Sequence, residues 1–124
     1  MESEMERVQF IPHNQAKILL IDVSNMSAGK DFESVISQAK FQIRSQPKES
    51  VLTLFDASGA FYNPESIQLL KEFTKSNKPY VKASAVVGIT GLKKIALETI
   101  SRFSGRSFQV CNTKEEAVSW LARQ

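Results

Sequence analysis

Val51-Leu52-Thr53-Leu54-Phe55-Asp56-Ala57-Ser58-Gly59-Ala60-Phe61-Tyr62-Asn63-Pro64-Glu65-Ser66-Ile67 reads, in order, as a strand, a loop and the start of a helix. Residues 51–55 are apolar or β-branched and hold no Gly or Pro, the pattern of a buried strand. Asn63 suits a helix N-cap, and Pro64 suits the first helical position, where its missing N–H goes unused. Loops that follow the carboxyl ends of parallel strands are where open α/β sheets carry their sites. The 56–66 stretch is therefore where the function of this chain should lie.

Upstream, residues 7–12 alternate well enough for a strand, placed at a sheet edge because Pro12 would break a central ladder. His13-Asn14-Gln15 turns the chain into residues 17–22, a continuous apolar run that suggests a strand buried on both faces. A polar loop, 24–29, leads to a helix with Phe32, Val35, Ile36, Ala39 and Ile43 at helical spacing, ending before Pro47.

Downstream, the second helix turns Ile67, Leu70 and Phe73 inward and Lys71, Glu72 and Lys75 outward. Asn77 is expected as its left-handed cap and Pro79 as its stop. Residues 80–87 form a strand of small residues. Gly88-Ile89-Thr90-Gly91 then opens a third helix, expected to bury Leu92, Ile95, Ala96, Thr99, Ile100 and Phe103, with Gly105 at its end. Residues 107–111 make a last strand. Thr113 to Glu116 is a capping box for a final helix burying Val118, Trp120 or Leu121. The order ββαβαβαβα predicts an α/β fold, a mostly parallel, mixed sheet covered by about four helices. The expectation is one domain over residues 1–124, with residues 1–6 a flexible N-terminus.

Composition narrows the class. The 42% apolar and 23% charged balance is that of a globular protein, and no apolar run reaches the roughly 18 residues that span a bilayer. The acidic start, with Glu2, Glu4 and Glu6, lacks the plan of a signal peptide, and Cys111 is the single cysteine, so a reducing, cytoplasmic setting is expected. The net charge of +3 is unevenly spread. Residues 1–70 hold six Lys/Arg against nine Asp/Glu, a net of −3, and residues 71–106 hold eight against two, a net of +6. Solvated helix faces account for the cationic stretch. No stacking-aromatic signature or DNA-binding motif accompanies it, so nucleic acid is disfavoured as a partner.

Candidate chemistry is sparse. His13 is the one histidine, and Cys111 sits in an apolar strand without a basic neighbour, which reads as an inert buried thiol. Asp22 and Asp56 follow strand ends, where two carboxylates could hold Mg²⁺. A receiver-like site, however, would pair acids at one strand end and place a lysine after a later strand, whereas Lys82 lies within its own. Asp22 and Asp56 therefore read as turn-forming residues that bind loop amides, and no metal or cofactor is expected. Thr90, Gly91, Lys93 and Lys94 lie where backbone N–H groups and a helix dipole attract anions, although the glycine spacing is not that of a phosphate-binding loop. A plain helix start explains the same residues. Phe61 and Tyr62 are adjacent, so at least one should be exposed as a contact for a partner or an apolar ligand; alternatively, one staples the second helix to the core.

The element order, with Asp56-Ala57-Ser58 followed by a turn and a helix, resembles the SpoIIAA-like or STAS-type domains. The stretch Asn77-Lys78-Pro79-Tyr80 through Lys93-Lys94 is similar to the uncharacterised bacterial STAS/SEC14 branch. The resemblance spans residues 8–122. It implies that Asp56 and Ser58 match the family's Asp-x-Ser. It also sets Asn63 at the family's later aspartate, Pro64 and Glu65 at its serine pair, and Ser66 at its glycine. Glu65 then stands where the family carries the phosphorylated serine. The resemblance implies a non-catalytic regulatory module that meets a protein partner, a second copy included, through Asp56, Ser58, Phe61, Tyr62, Asn63, Glu65 and Ser66. The alternative it offers is a binding domain for a lipid-like or anionic small ligand.

Overall fold

Two apolar runs form a hairpin at one edge of the sheet. β1 (Val8–His13) and β2 (Ala16–Asp22) pair antiparallel across Asn14 and Gln15, with Asn14 at a φ of 55°. This is a computed structural model, and it describes residues 7–124; the expected flexible stretch 1–6 lies outside the described residues. From β2 the chain alternates through α1 (Lys30–Arg44), β3 (Val51–Asp56), α2 (Pro64–Ser76), β4 (Val81–Val87), α3 (Lys93–Ser104), β5 (Gln109–Cys111) and α4 (Lys114–Ala122). The strands lie in the order β1-β2-β3-β4-β5, parallel from β2 to β5. The mixed five-stranded sheet with four helices is the α/β layout the sequence predicts, and Pro12 lies on the edge strand.

The period of two along each strand divides the core. Leu19, Ile21, Val23 and Val51 meet Phe32, Val35, Ile36, Ala39 and Ile43 of α1 and Phe73 of α2. Ile18, Leu20, Leu52, Leu54, Ala85 and Val87 meet Ala117 and Leu121 of α4. Both faces of β2 are thus buried, as its unbroken apolar run requires. The five buried side chains of α1 stabilise its docking by on the order of 10 kcal/mol before conformational entropy is counted. On the same face as α1 and α2, α3 sets Leu97 and Ile100 over Phe55 and Val86. Three helices cover one face, and α4 covers the other.

Four local expectations need correction. The face of α3 is rotated: Leu92, Ile95 and Phe103 are 71%, 60% and 42% exposed, while Ile100 and Ser104 are buried and Ala96 and Leu97 half-buried. The cause is tertiary, because Lys93 Nζ reaches inward to the carbonyls of Ala57 (2.8 Å) and Gly88 (3.4 Å). Asn77 is not left-handed but lies at φ −89°, since the chain tightens directly into a 3₁₀ turn, Lys78–Tyr80, closed by Tyr80 N–H to Asn77 O at 2.9 Å. In the cap of α4, Thr113 Oγ1 accepts the Glu116 N–H at 3.1 Å, but Glu116 Oε1 takes the Asn112 N–H (2.7 Å) and not that of Thr113. The last strand is shorter than 107–111, spanning only Gln109–Cys111, whereas α4 buries Leu121, one of its three expected alternatives, together with Ala117.

Candidate functional site

The carboxyl ends of β2, β3 and β4 form one rim. Asp22 and Asp56 are register partners, and Asp56 is in turn the partner of Val87. Each aspartate folds back on its own loop: Asp22 Oδ1 accepts the Ser24 N–H and Asp56 Oδ1 the Ser58 N–H, both at 2.9 Å. These are Asx turns, which the i to i+2 reach of an aspartate side chain makes locally favourable. The other Asp56 oxygen lies 3.3 Å from Lys114 Nζ at the start of α4. Arg7 donates to the carbonyls of Asp22 and Ser24 at 3.1 Å. The two carboxylates thus hold loops, and the described residues contain no group of three or more His, Cys, Asp or Glu placed to bind a metal ion.

Beyond the strand ends the loops stay joined. Val23 N–H donates to Asp56 O (3.0 Å), Asn25 N–H to Ser58 O (2.9 Å), Ala57 N–H to Val87 O (3.0 Å) and Phe61 N–H to Met26 O (2.8 Å). Gly88 packs so closely on Ser58 that an added Cβ would lie 2.7 Å from its Oγ. The result is a platform that holds Phe61 (69% exposed) and Tyr62 (44% exposed) out toward solvent.

The helix that follows is fixed by a reciprocal cap. Asn63 Oδ1 accepts the Ser66 N–H (2.8 Å), while Ser66 Oγ accepts the Asn63 N–H and donates to Asn63 O, both at 2.9 Å. Ser66 is only 3% exposed, so its hydroxyl is committed to the cap. Glu65 is exposed in the first turn, beside the positive end of the helix dipole. Asp56, Ser58, Phe61, Tyr62, Asn63, Glu65 and Ser66 therefore fall on one loop and helix start, with Asp56 and Ser66 buried as braces and the aromatics and Glu65 outward.

At the β4–α3 turn, Thr90, Gly91 and Lys94 are exposed, but the Lys93 ammonium is directed inward to its two carbonyls. The N–H groups of Lys93 and Lys94 donate to Thr90 O and Gly91 O at 3.1 Å, so this turn closes on itself. Cys111 is buried, and burial, with the nearby charge of Glu116, pushes its thiol above the usual range, away from nucleophile chemistry.

One polar cluster was not legible in the sequence. Arg106, counted there within the solvated cationic stretch, donates to the Thr74 carbonyl (3.1 Å) and to Ser84 Oγ, and Ser84 shares a 2.6 Å hydrogen bond with Thr53 Oγ1. The available signal was the pair Thr53 and Ser84, polar residues on neighbouring buried strands.

Strand order and helix placement give the chain a fold of the SpoIIAA-like, or STAS, kind. The chain is similar to the solved structure of an anti-sigma-factor antagonist (STAS) domain protein from Planctomyces limnophilus. The TM-score is 0.61 at 18% sequence identity, over 92% of this chain and 96% of that chain. No family model matches the chain, and no curated protein matches it. No helix among the described residues is long and apolar enough to cross a membrane.

Proposed function

We propose that this chain is a single-domain, cytoplasmic regulatory module without catalysis, binding a protein partner through the 56–66 loop and the start of α2. The observation that carries the reading is the pair Phe61 and Tyr62, exposed yet held by a braced loop. Rigid aromatic residues on a pre-ordered loop lose little entropy on binding and are common interface anchors. The fold neighbour's description as an anti-sigma-factor antagonist supports the regulatory class. The polar side chains of the rim support it as well, because Asp22, Asp56, Lys93 and Ser66 are all engaged with backbone groups of the fold.

Glu65 at the phosphoserine position of the resemblance gives a constitutive negative charge at the helix start, and the partner is read as one that recognises it without a phosphorylation switch. A lipid-like ligand has less support. The two apolar crevices beside α2 have volumes of about 80 and about 50 Å³, well below the roughly 300 Å³ where drug-sized sites begin. A larger hollow, about 810 Å³, lies elsewhere, between Arg7, residues 25–29 and α1, and is widely open to solvent. Affinity capture with the wild-type chain and with a Phe61→Ala/Tyr62→Ala variant, read by mass spectrometry, tests the proposal. A protein retained by the first and lost by the folded second is expected. Identical captures from both, or Ser58 phosphorylated at high occupancy with binding that follows it, would overturn the reading.

A further inference from the structure

Helix α3 keeps one apolar stripe out of the core. Leu92, Ile95, Thr99 and Phe103 follow one another at helical spacing, and Leu92, Ile95 and Phe103 are exposed. The Thr99 hydroxyl donates to Ile95 O at 3.1 Å, so it is satisfied within the helix. From Leu92 to Phe103 the stripe makes a ridge about 16 Å long.

Cations gather along this ridge. Helix α2 packs beside α3 and lays Lys71 and Lys75 on the Phe103 ring, with Nζ 4.8 and 5.0 Å from its centre. Arg102 is exposed on the outer flank, and Lys78 Nζ reaches Gly105 at the helix end. The ion pairs among the described residues join Arg7 to Asp22 and Lys114 to Asp56, so no carboxylate of those residues neutralises these cations. The acids of α2 lie on its other side: Glu65, Gln68 and Glu72 line the groove toward α1, where Glu72 accepts from Gln68 Nε2 at 3.0 Å. Glu98 is the one acidic residue among residues 89–106.

We infer that the α3 ridge docks on an anionic membrane surface, with Leu92, Ile95 and Phe103 entering the headgroup layer and Lys71, Lys75 and Arg102 meeting its negative charge. The inference stands apart from the partner reading of the 56–66 loop. An apolar stripe bordered by long basic side chains is the composition of helices that lie in the membrane interface. Lysine stems that already lie along an aromatic ring keep their ammonium groups at the headgroup level as the ring sinks. Shape and charge disfavour the other occupants. A partner helix needs a groove to lie in, and the hollow between α2 and α3 beside the ridge holds only about 80 Å³. A two-fold pair of chains would set Lys71, Lys75 and Arg102 against their own copies.

Flotation of the full chain with vesicles of phosphatidylcholine alone, or mixed with phosphatidylserine at about three to one, tests this. The chain should bind the anionic vesicles at least about tenfold more tightly than the neutral ones. Raising salt from about 0.05 to 0.5 M should weaken that binding about tenfold. Leu92→Ser/Ile95→Ser, at two exposed positions, should weaken it at least about tenfold, and Lys75→Gln/Arg102→Gln about twentyfold. The two pairs are read independently, each after a circular dichroism melt that shows it folded. Phe41→Ser removes an exposed aromatic from α1 and should bind as the wild type does. No binding to anionic vesicles, equal binding to neutral ones, undiminished binding by a folded pair, or an equal loss in the Phe41→Ser chain would overturn the assignment. Binding of poly-glutamate as tight as that of anionic vesicles would overturn it in favour of an acidic protein.

Discussion

Replacing Gly88 by alanine tests whether the rim is built as described. Gly88 lies at φ +82°, and a Cβ there would press on the backbone N of Ser58, 2.5 Å from its Cα and 2.7 Å from its Oγ. Left-handed backbone costs a non-glycine residue about 1–2 kcal/mol, and forcing an atom into closed space adds about 1–3 kcal/mol. Ser58 cannot withdraw without cost, because its N–H holds Asp56 and its carbonyl holds Asn25. The expected loss is about 2–5 kcal/mol. Gly91 is the matched control, with φ +58° and nothing within 4 Å of an added Cβ. Gly91→Ala should cost only the backbone term, about 1–2 kcal/mol. Urea unfolding followed by circular dichroism, fitted with a common slope, measures both. Amide shifts should spread through residues 58–63 in the first variant and stay at the β4–α3 turn in the second. A Gly88→Ala cost within about 0.5 kcal/mol of the Gly91→Ala cost would refute the close approach of the two loops.

Asp56→Ala should cost about 1–3 kcal/mol by removing a buried carboxylate and with it the acceptor of the part-buried Ser58 N–H, whereas Lys114→Met, removing a half-exposed partner, should cost below about 1 kcal/mol; equal losses in urea melts would contradict the division between turn and ion pair. Ser66→Ala should cost about 1 kcal/mol by removing the hydroxyl that accepts the Asn63 N–H, and Glu65→Gln only about 0.3–1 kcal/mol, fading with salt; the reverse order in thermal melts would displace Ser66 as the brace. Native Cys111 should alkylate far more slowly than the urea-unfolded thiol between pH 7 and 9. Its raised pKa lowers the thiolate fraction, the rate should climb with pH, and equal native and unfolded rates would show an exposed thiol.

Legibility followed the range of the forces involved. Asx turns at Asp22 and Asp56 and the cap at Asn63 act over two or three residues, so residue type and position announce them. The strands were legible because β2 reads as a two-faced apolar run and Pro12 marks an edge. Helix α3 was not, because it carries two overlapping apolar stripes, Leu92-Ile95-Thr99-Phe103 and Ala96-Leu97-Ile100. What chooses between them is Lys93 meeting the Ala57 carbonyl, a contact between distant parts of the chain. Arg106 was missed for a related reason. A charge in a cationic stretch is assigned to solvent by default, and only the pairing of β3 with β4, which sets Thr53 beside Ser84, creates the polar seat that draws it in.

Strand order explains why the strand ends form a closed rim and not a crevice. In doubly wound sheets the order reverses, adjacent helices leave for opposite faces, and a crevice opens between their loops. Here β2 to β5 follow one another without reversal, and α1, α2 and α3 share one face. Neighbouring loops therefore run side by side, and the bonds from Val23 to Asp56, Asn25 to Ser58 and Ala57 to Val87 close the gaps between them. Such a rim presents a surface, which suits a protein face, and the exposed Phe61 and Tyr62 stand on it. What internal space there is comes instead from imperfect packing of the helices on the sheet. On α2, Phe73 is buried, but Ile67, Leu69 and Leu70 are only half-covered. That loosened layer is where the apolar crevices of about 50 and about 80 Å³ lie, the second of them reaching beneath Phe61 and Tyr62.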